Sequence, residues 1–163
     1  MATLILIRHA KSDWSAGVSD LARPLNSRGR RQAPATGDWV AGEFDEISLA
    51  VVSIATRAQQ TWELVSAHLD PMPDVINSEA AYTFDGDDLA EIVAGLPTSA
   101  ETVILVGHNP ALEELIRMAT GRWAEMPTSA VAVLEIDAWT NITDGAATLL
   151  AAGRPADGRW IAR

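Results

Sequence analysis

The chain has 163 residues and a mass of 17.4 kDa, enough for one domain over 1–163 with a sizeable core. Hydrophobic residues make up 48% and charged residues 21%, which excludes a disordered, collagen-like or coiled-coil chain. Twelve Lys and Arg stand against 22 Asp and Glu, so the net charge is -10 and a nucleic acid partner is not expected.

The absence of cysteine removes disulfides, thiolate catalysis and Cys-based metal sites. The apolar run Leu4 to Ile7 stops at Arg8. It is too short for a signal-peptide core or a membrane span, so a cytoplasmic protein with no membrane partner is expected.

Thr3 to Ile7 is a β-branched, fully apolar run, the pattern of a parallel strand covered on both faces. Ala10 to Pro24 lacks periodicity and predicts a loop, after which Asn26 or Ser27 caps a helix running toward Gly42. Pro34 inside that helix predicts a kink or break. Leu49 to Ile54 is a second strand, followed by a helix over 56–69 that Pro71 and Pro73 stop. Val75 and Ile76 suggest a brief strand, and 87–96 an amphipathic helix with Leu89, Ile92, Val93 and Leu96 on one face. Thr102 to Val106 repeats the signature of the first strand and runs into Gly107-His108-Asn109-Pro110, where Asn109 can cap and Pro110 can open a helix through Thr120. Strands are expected over 130–136 and 147–152, with a turn at Asp144-Gly145. The alternation points to an α/β layered fold with a mainly parallel sheet.

Arg8-His9 and His108 each follow an apolar parallel-type strand, and open α/β sheets bind ligands outside the carboxyl ends of their strands. Arg57, at the start of the helix after the second strand, adds a guanidinium to the same rim. Two arginines and two histidines beside a helix N-terminus suit a tetrahedral dianion. His68 falls near a helix end, where a surface or structural role is expected. Trp39, Trp62, Trp123, Trp139 and Trp160 are expected to serve core or loop packing, whereas Trp14 lies where it can flank the pocket.

The motifs Arg8-His9-Ala10, Ser19-Asp20-Leu21-Ala22-Arg23-Pro24-Leu25, Ser53 through Arg57-Ala58-Gln59-Gln60-Thr61 and Gly107-His108-Asn109-Pro110 resemble the histidine phosphatase superfamily, also called phosphoglycerate-mutase-like. The Asp20 to Leu25 segment and the short chain resemble its SixA-type phosphohistidine phosphatase branch. The resemblance implies a three-layer α/β/α sandwich with one antiparallel strand near an edge. It implies that His9 is the phosphoryl-accepting nucleophile, that Arg8, Arg57 and His108 bind the phosphoryl oxygens, and that no metal or other cofactor is needed. Ala10 replaces the commoner Gly, and Ile54 stands where many members have Pro.

An imidazole attacks phosphorus only when neutral, and Arg8 and Arg57 should disfavour its protonation while stabilising charge on the equatorial oxygens. The other ring nitrogen of His9 is expected to donate to a backbone carbonyl. The general acid is left among Asp20, Glu79 and Asp85. Lys11 and Ser12 are further candidates for substrate contact, and Arg23 is expected to brace its loop. The leading expectation is a metal-independent phosphatase acting on a phosphorylated substrate, with phosphohistidine on a protein as the favoured target. A small-molecule phosphatase of the same superfamily and a catalytically silent phosphate-binding module are the alternatives. A mutase would have to shelter its phosphoenzyme from water.

Overall fold

The computed structural model describes residues 1–162, the side chains of 159–162 excepted. The expected packing of Trp160 lies outside the described side chains. The chain runs β1 (Ala2–Arg8), α1 (Ser27–Glu43), β2 (Leu49–Ser53), α2 (Thr56–Ser66), β3 (Asp74–Ser78), α3 (Gly86–Ala94), β4 (Thr102–Gly107), α4 (Ala111–Thr120), β5 (Val131–Ile136), β6 (Thr148–Arg154) and β7 (Arg159–Ala162). Short 3-10 turns lie at Asp20–Ala22, Trp139–Asn141 and Pro155–Asp157.

The sheet has the order β3-β2-β4-β1-β5-β6-β7. β1 to β4 run parallel to one another, and β5, β6 and β7 continue the sheet by antiparallel pairing. One antiparallel strand near an edge was expected; instead β5 lies inside the sheet against β1, and β7 closes the edge.

Alternation along each strand builds the three layers. Leu4, Leu6, Val51, Val103 and Leu105 join Leu89 and Val93 of α3 and Leu112, Leu115 and Ile116 of α4 in one core. Ile5, Ile7, Ala50, Val52, Ile104 and Val106 face the other way, onto Val40 of α1 and Ala58, Trp62 and Val65 of α2. A strand apolar at every position is what a sheet covered on both faces requires.

Asn26 caps α1 by accepting from the Gly29 amide, 2.9 Å away. Pro34 does not break the helix, which continues through it to Glu43. The carbonyl it leaves without an amide is that of Arg30, an exposed residue where water can take the bond. α2 stops at Ser66, earlier than expected, in a turn at Ala67 and His68. Asn109 does not cap α4; its amide donates to Glu113 Oε1 and the Met126 carbonyl, and Pro110 takes the cap position. Gly121, at φ 70°, ends that helix in the left-handed conformation. Trp39, Trp62 and Trp139 pack into the cores, but Trp123 is exposed. Among the described residues, no helix is long and apolar enough to cross a membrane.

Candidate active site

The register of the parallel strands sets the site. Arg8 pairs with Gly107, and Val52 pairs with Val106, so β1, β2 and β4 end at one level. The next residues on β1 and β4 are His9 and His108, tied by the bond from His9 N to the Gly107 carbonyl at 3.2 Å. Their ring centroids lie 5.1 Å apart. Arg57 enters as the second residue of α2 and is fully buried. Arg8, His9, Lys11, Ser12, Asp20, Arg57 and His108 line one pocket of about 300 Å³, together with Trp14, Arg23, Phe84, Asn109 and Thr128.

The loop after β1 is pinned from below. Thr61 Oγ1 accepts from Ala10 N at 2.9 Å, and Gln32 Oε1 accepts from Lys11 N at 3.0 Å. The Lys11 carbonyl presses so closely on α1 that a Cβ at Gly29 would lie 2.1 Å from it. Ser12 bridges to Leu25, and Gln60 Oε1 receives the Leu25 amide, so the loop returns to its own base.

His9 Nδ1 lies 2.8 Å from the Ala10 carbonyl, which has only lone pairs to offer; Nδ1 therefore carries the hydrogen and Nε2 keeps its lone pair. Burial holds the His9 pKa well below the ordinary histidine value, with His108, Arg57 and Arg8 pushing the same way and the Ala10 bond opposing. The cationic neighbours foreseen from sequence act as expected, but desolvation is the larger cause.

His108 is neutral as well. Burial first, then Arg57, lowers its pKa to about 3. Its Nε2 lies 2.7 Å from Ser53 Oγ, and that oxygen already accepts the Ala55 amide at 3.2 Å. With the serine hydroxyl donating its one hydrogen to Nε2, the hydrogen of neutral His108 sits on Nδ1. His108 Nδ1, Arg8 Nε and Arg57 Nε are buried with no hydrogen-bond partner among the described residues. Unpaired buried donors are costly, and here they are what an anion's oxygens would satisfy.

Asp20 is the hub of the outer wall. Arg57 donates to its carbonyl at 2.6 Å and to Oδ2 at 3.0 Å, Arg23 to Oδ1 at 3.1 Å, and the Tyr82 hydroxyl to Oδ2 at 2.5 Å. The Tyr82 bond, ahead of the two arginines, holds the Asp20 pKa at about 2. Donating to that carboxylate raises the Tyr82 pKa. Arg23 also donates to Ser12 Oγ at 2.6 Å and braces its loop.

Glu79 is exposed and lines a neighbouring groove with Tyr82, Thr83 and Asp88. Asp85 is exposed and caps α3 through the Asp87 amide. Neither lines the histidine pocket, so of the three carboxylates considered only Asp20 does. His68 is exposed beside the end of α2, away from this site. Sequence reasoning missed Tyr82 and Phe84, which meet His108 with ring centroids 5.5 Å and 5.8 Å away. The usable signal was the position of two aromatics, one of them the chain's only tyrosine, in the loop that follows β3 on the same rim.

The model of the histidine phosphatase superfamily, branch 1, matches residues 4–80, which hold Arg8, His9, Asp20 and Arg57. The uncharacterized protein Rv1276c of Mycobacterium tuberculosis is 30% identical over 156 residues, covering 88% of this chain and 96% of its own. The chain belongs to the histidine phosphatase superfamily. Among solved structures, the provisionally named phosphohistidine phosphatase SixA of Nakamurella multipartitia is 29% identical with a TM-score of 0.80, covering 94% of this chain and 96% of that one. The provisionally named SixA of Agrobacterium tumefaciens is 26% identical with the same TM-score of 0.80, covering 93% and 97%. This histidine phosphatase therefore has the phosphoglycerate-mutase-like α/β fold along nearly its whole length.

Proposed function

We propose that the protein is a metal-independent phosphatase that works through a phosphorylated His9, with a phosphohistidine side chain of another protein as its favoured substrate. The observation that carries this reading is a buried imidazole with its tautomer fixed by Ala10 and its free Nε2 among unpaired donors of Arg8, Arg57 and His108. His9 Nε2 attacks phosphorus, the N–P bond forms, and the bond from phosphorus to the leaving group breaks. Arg8, Arg57 and the Nδ1–H of His108 hold the equatorial oxygens, where charge builds. Water then attacks phosphorus, the N–P bond breaks, inorganic phosphate departs and His9 returns to neutrality.

Asp20 is ionised at neutral pH, so the free enzyme holds no carboxylic acid there to protonate a leaving group. In the second half-reaction it can orient the attacking water, whose proton leaves on the product phosphate, because a carboxylate held near 2 is a poor base. A phosphohistidine whose other ring nitrogen carries a proton departs as neutral imidazole and needs no acid from the enzyme, whereas an alkoxide does, which favours phosphohistidine over alkyl phosphate. Access argues the same way: between Arg57 and His108 the chain forms the rest of α2, then β3, α3 and β4, with no inserted lid helix. Likeness to the two provisionally named SixA proteins supports the same substrate.

The test is rapid quench with a phosphohistidine-bearing protein labelled in its phosphoryl group, with chelator present. Acid-labile, alkali-stable label should appear on the enzyme and be absent from His9→Ala, whose turnover should fall at least about 10³-fold. Undiminished turnover by that variant would defeat the nucleophile assignment.

A further inference from the structure

Two of the large apolar side chains that the fold leaves in water stand at the mouth of the phosphate pocket. Trp14 is 73% exposed and Phe84 51%, and both line the pocket with His9, Arg57 and His108. Exposed aromatics scattered singly need no explanation. Here a ring from the β1–α1 loop and a ring from the β3–α3 loop border the same cavity.

Both rings are held. The Arg23 guanidinium lies 3.6 Å from the Trp14 centroid, and Arg23 is anchored in turn on Ser12 and Asp20. Phe84 meets Tyr82 edge-on at 6.0 Å and His108 at 5.8 Å. Contacts of this kind orient each ring on one side and leave the rest of its surface to whatever enters the pocket. Surfaces so preorganised lose little entropy on binding.

We propose that Trp14 and Phe84 form an aromatic rim that selects phosphoryl compounds whose leaving group is a planar ring. The proposal rests on the phosphatase reading and narrows its substrate class. In-line attack by His9 sends the leaving group away from His9, toward the pocket mouth. A phenyl or imidazole ring arriving there gains stacked or edge-on contact, whereas an alkyl chain gains area only by giving up rotamer freedom. The absence of a neutral carboxylic acid from the pocket points the same way, because a phenolate, or an imidazole that carries a proton on its other nitrogen, departs without acid help more readily than an alkoxide.

Two probes without a hydrolysable bond test the rim: phenylphosphonate and propylphosphonate, titrated calorimetrically into the full-length wild type, Trp14→Ala, Phe84→Ala and Trp14→Phe. Both rings are exposed, so the variants should fold. Tighter binding of phenylphosphonate by the wild type is expected, with the preference shrinking roughly 2- to 10-fold in each alanine variant and partly restored in Trp14→Phe. Equal affinities in the wild type, a preference that survives both alanine variants, or equal weakening of both probes would overturn the proposal. Turnover of phenyl phosphate, measured alongside, separates it from the reading on which it rests. Preference without turnover of either phenyl phosphate or the labelled phosphohistidine protein defeats the phosphatase and leaves the rim; turnover without preference defeats the rim alone; binding of neither probe together with no turnover defeats both.

Discussion

Arg57 is a charge buried inside the fold, and in the free protein its main compensation is Asp20. The carboxylate holds the guanidinium through Oδ2 and the backbone through its carbonyl, so it occupies part of the hydrogen-bonding capacity that a phosphoryl group needs. Asp20 is a partly exposed group, which weakens the pair, but its charge still opposes a second anion at the same place. Asp20→Asn keeps the shape and removes the charge. Inorganic phosphate should then inhibit more tightly, by up to roughly tenfold, or about 1.4 kcal/mol. Product-inhibition constants at fixed ionic strength measure this; weaker phosphate binding in the variant would mean that Asp20 serves to aim Arg57 and does not compete with the ligand.

At the scale of elements, the site depends on how closely the loop after His9 can lie on α1. Gly29 is buried in the first turn of that helix, and the Lys11 carbonyl stands where its Cβ would be. The obstacle is backbone, which cannot swing aside as a flexible side chain could. Gly29→Ala should therefore destabilise the protein by about 1–3 kcal/mol, although alanine is the better helix former, and should lower activity by displacing the residues beside His9. Urea midpoints and kcat/KM together check it; a gain in stability would show that the loop yields freely. The helices and parallel strands were legible because their signals are local, an apolar run or a cap at Asn26, although α2 ends at Ser66, short of the stop expected from Pro71. Arg8, His9, Arg57 and His108 were legible because each ends or follows a strand or opens a helix. What could not be read was contact between loops. Nothing in the sequence around Tyr82 says that its hydroxyl meets Asp20, 62 positions away, and nothing around Asn109 says that its amide would turn to Glu113 and Met126 instead of capping. The interior antiparallel strand escaped for a similar reason, since β5 is as apolar as a parallel strand and its direction is fixed by the chain's route after α4.

Taken whole, the molecule surrounds two neutral imidazoles with a core that favours their uncharged forms, and this ties its stability to pH. For His108 the folded value is about 3 and the ordinary value 6.5. Between those limits the unfolded chain binds a proton that the folded chain does not, so stability rises with pH by about 1.4 kcal/mol per unit and the effect ends above pH 6.5. His9 is shifted in the same direction and adds the same sign over its own window below 6.5. Asp20 acts lower down: its folded value of about 2 against 3.8 stabilises the fold above pH 3.8, and that contribution is lost as pH falls toward 2. Acidification from pH 6.5 to 4.5 should therefore cost about 2 kcal/mol from His108 alone, a sizeable share of the 5–15 kcal/mol typical of a domain. Urea midpoints at pH 7, 5.5 and 4.5 should fall steadily for the wild type and less steeply for His108→Asn, which cannot take up a proton there. A wild-type midpoint unchanged across that range would mean that the buried imidazoles gain their protons without unfolding, and the neutral His9 required for attack on phosphorus would lose its physical basis.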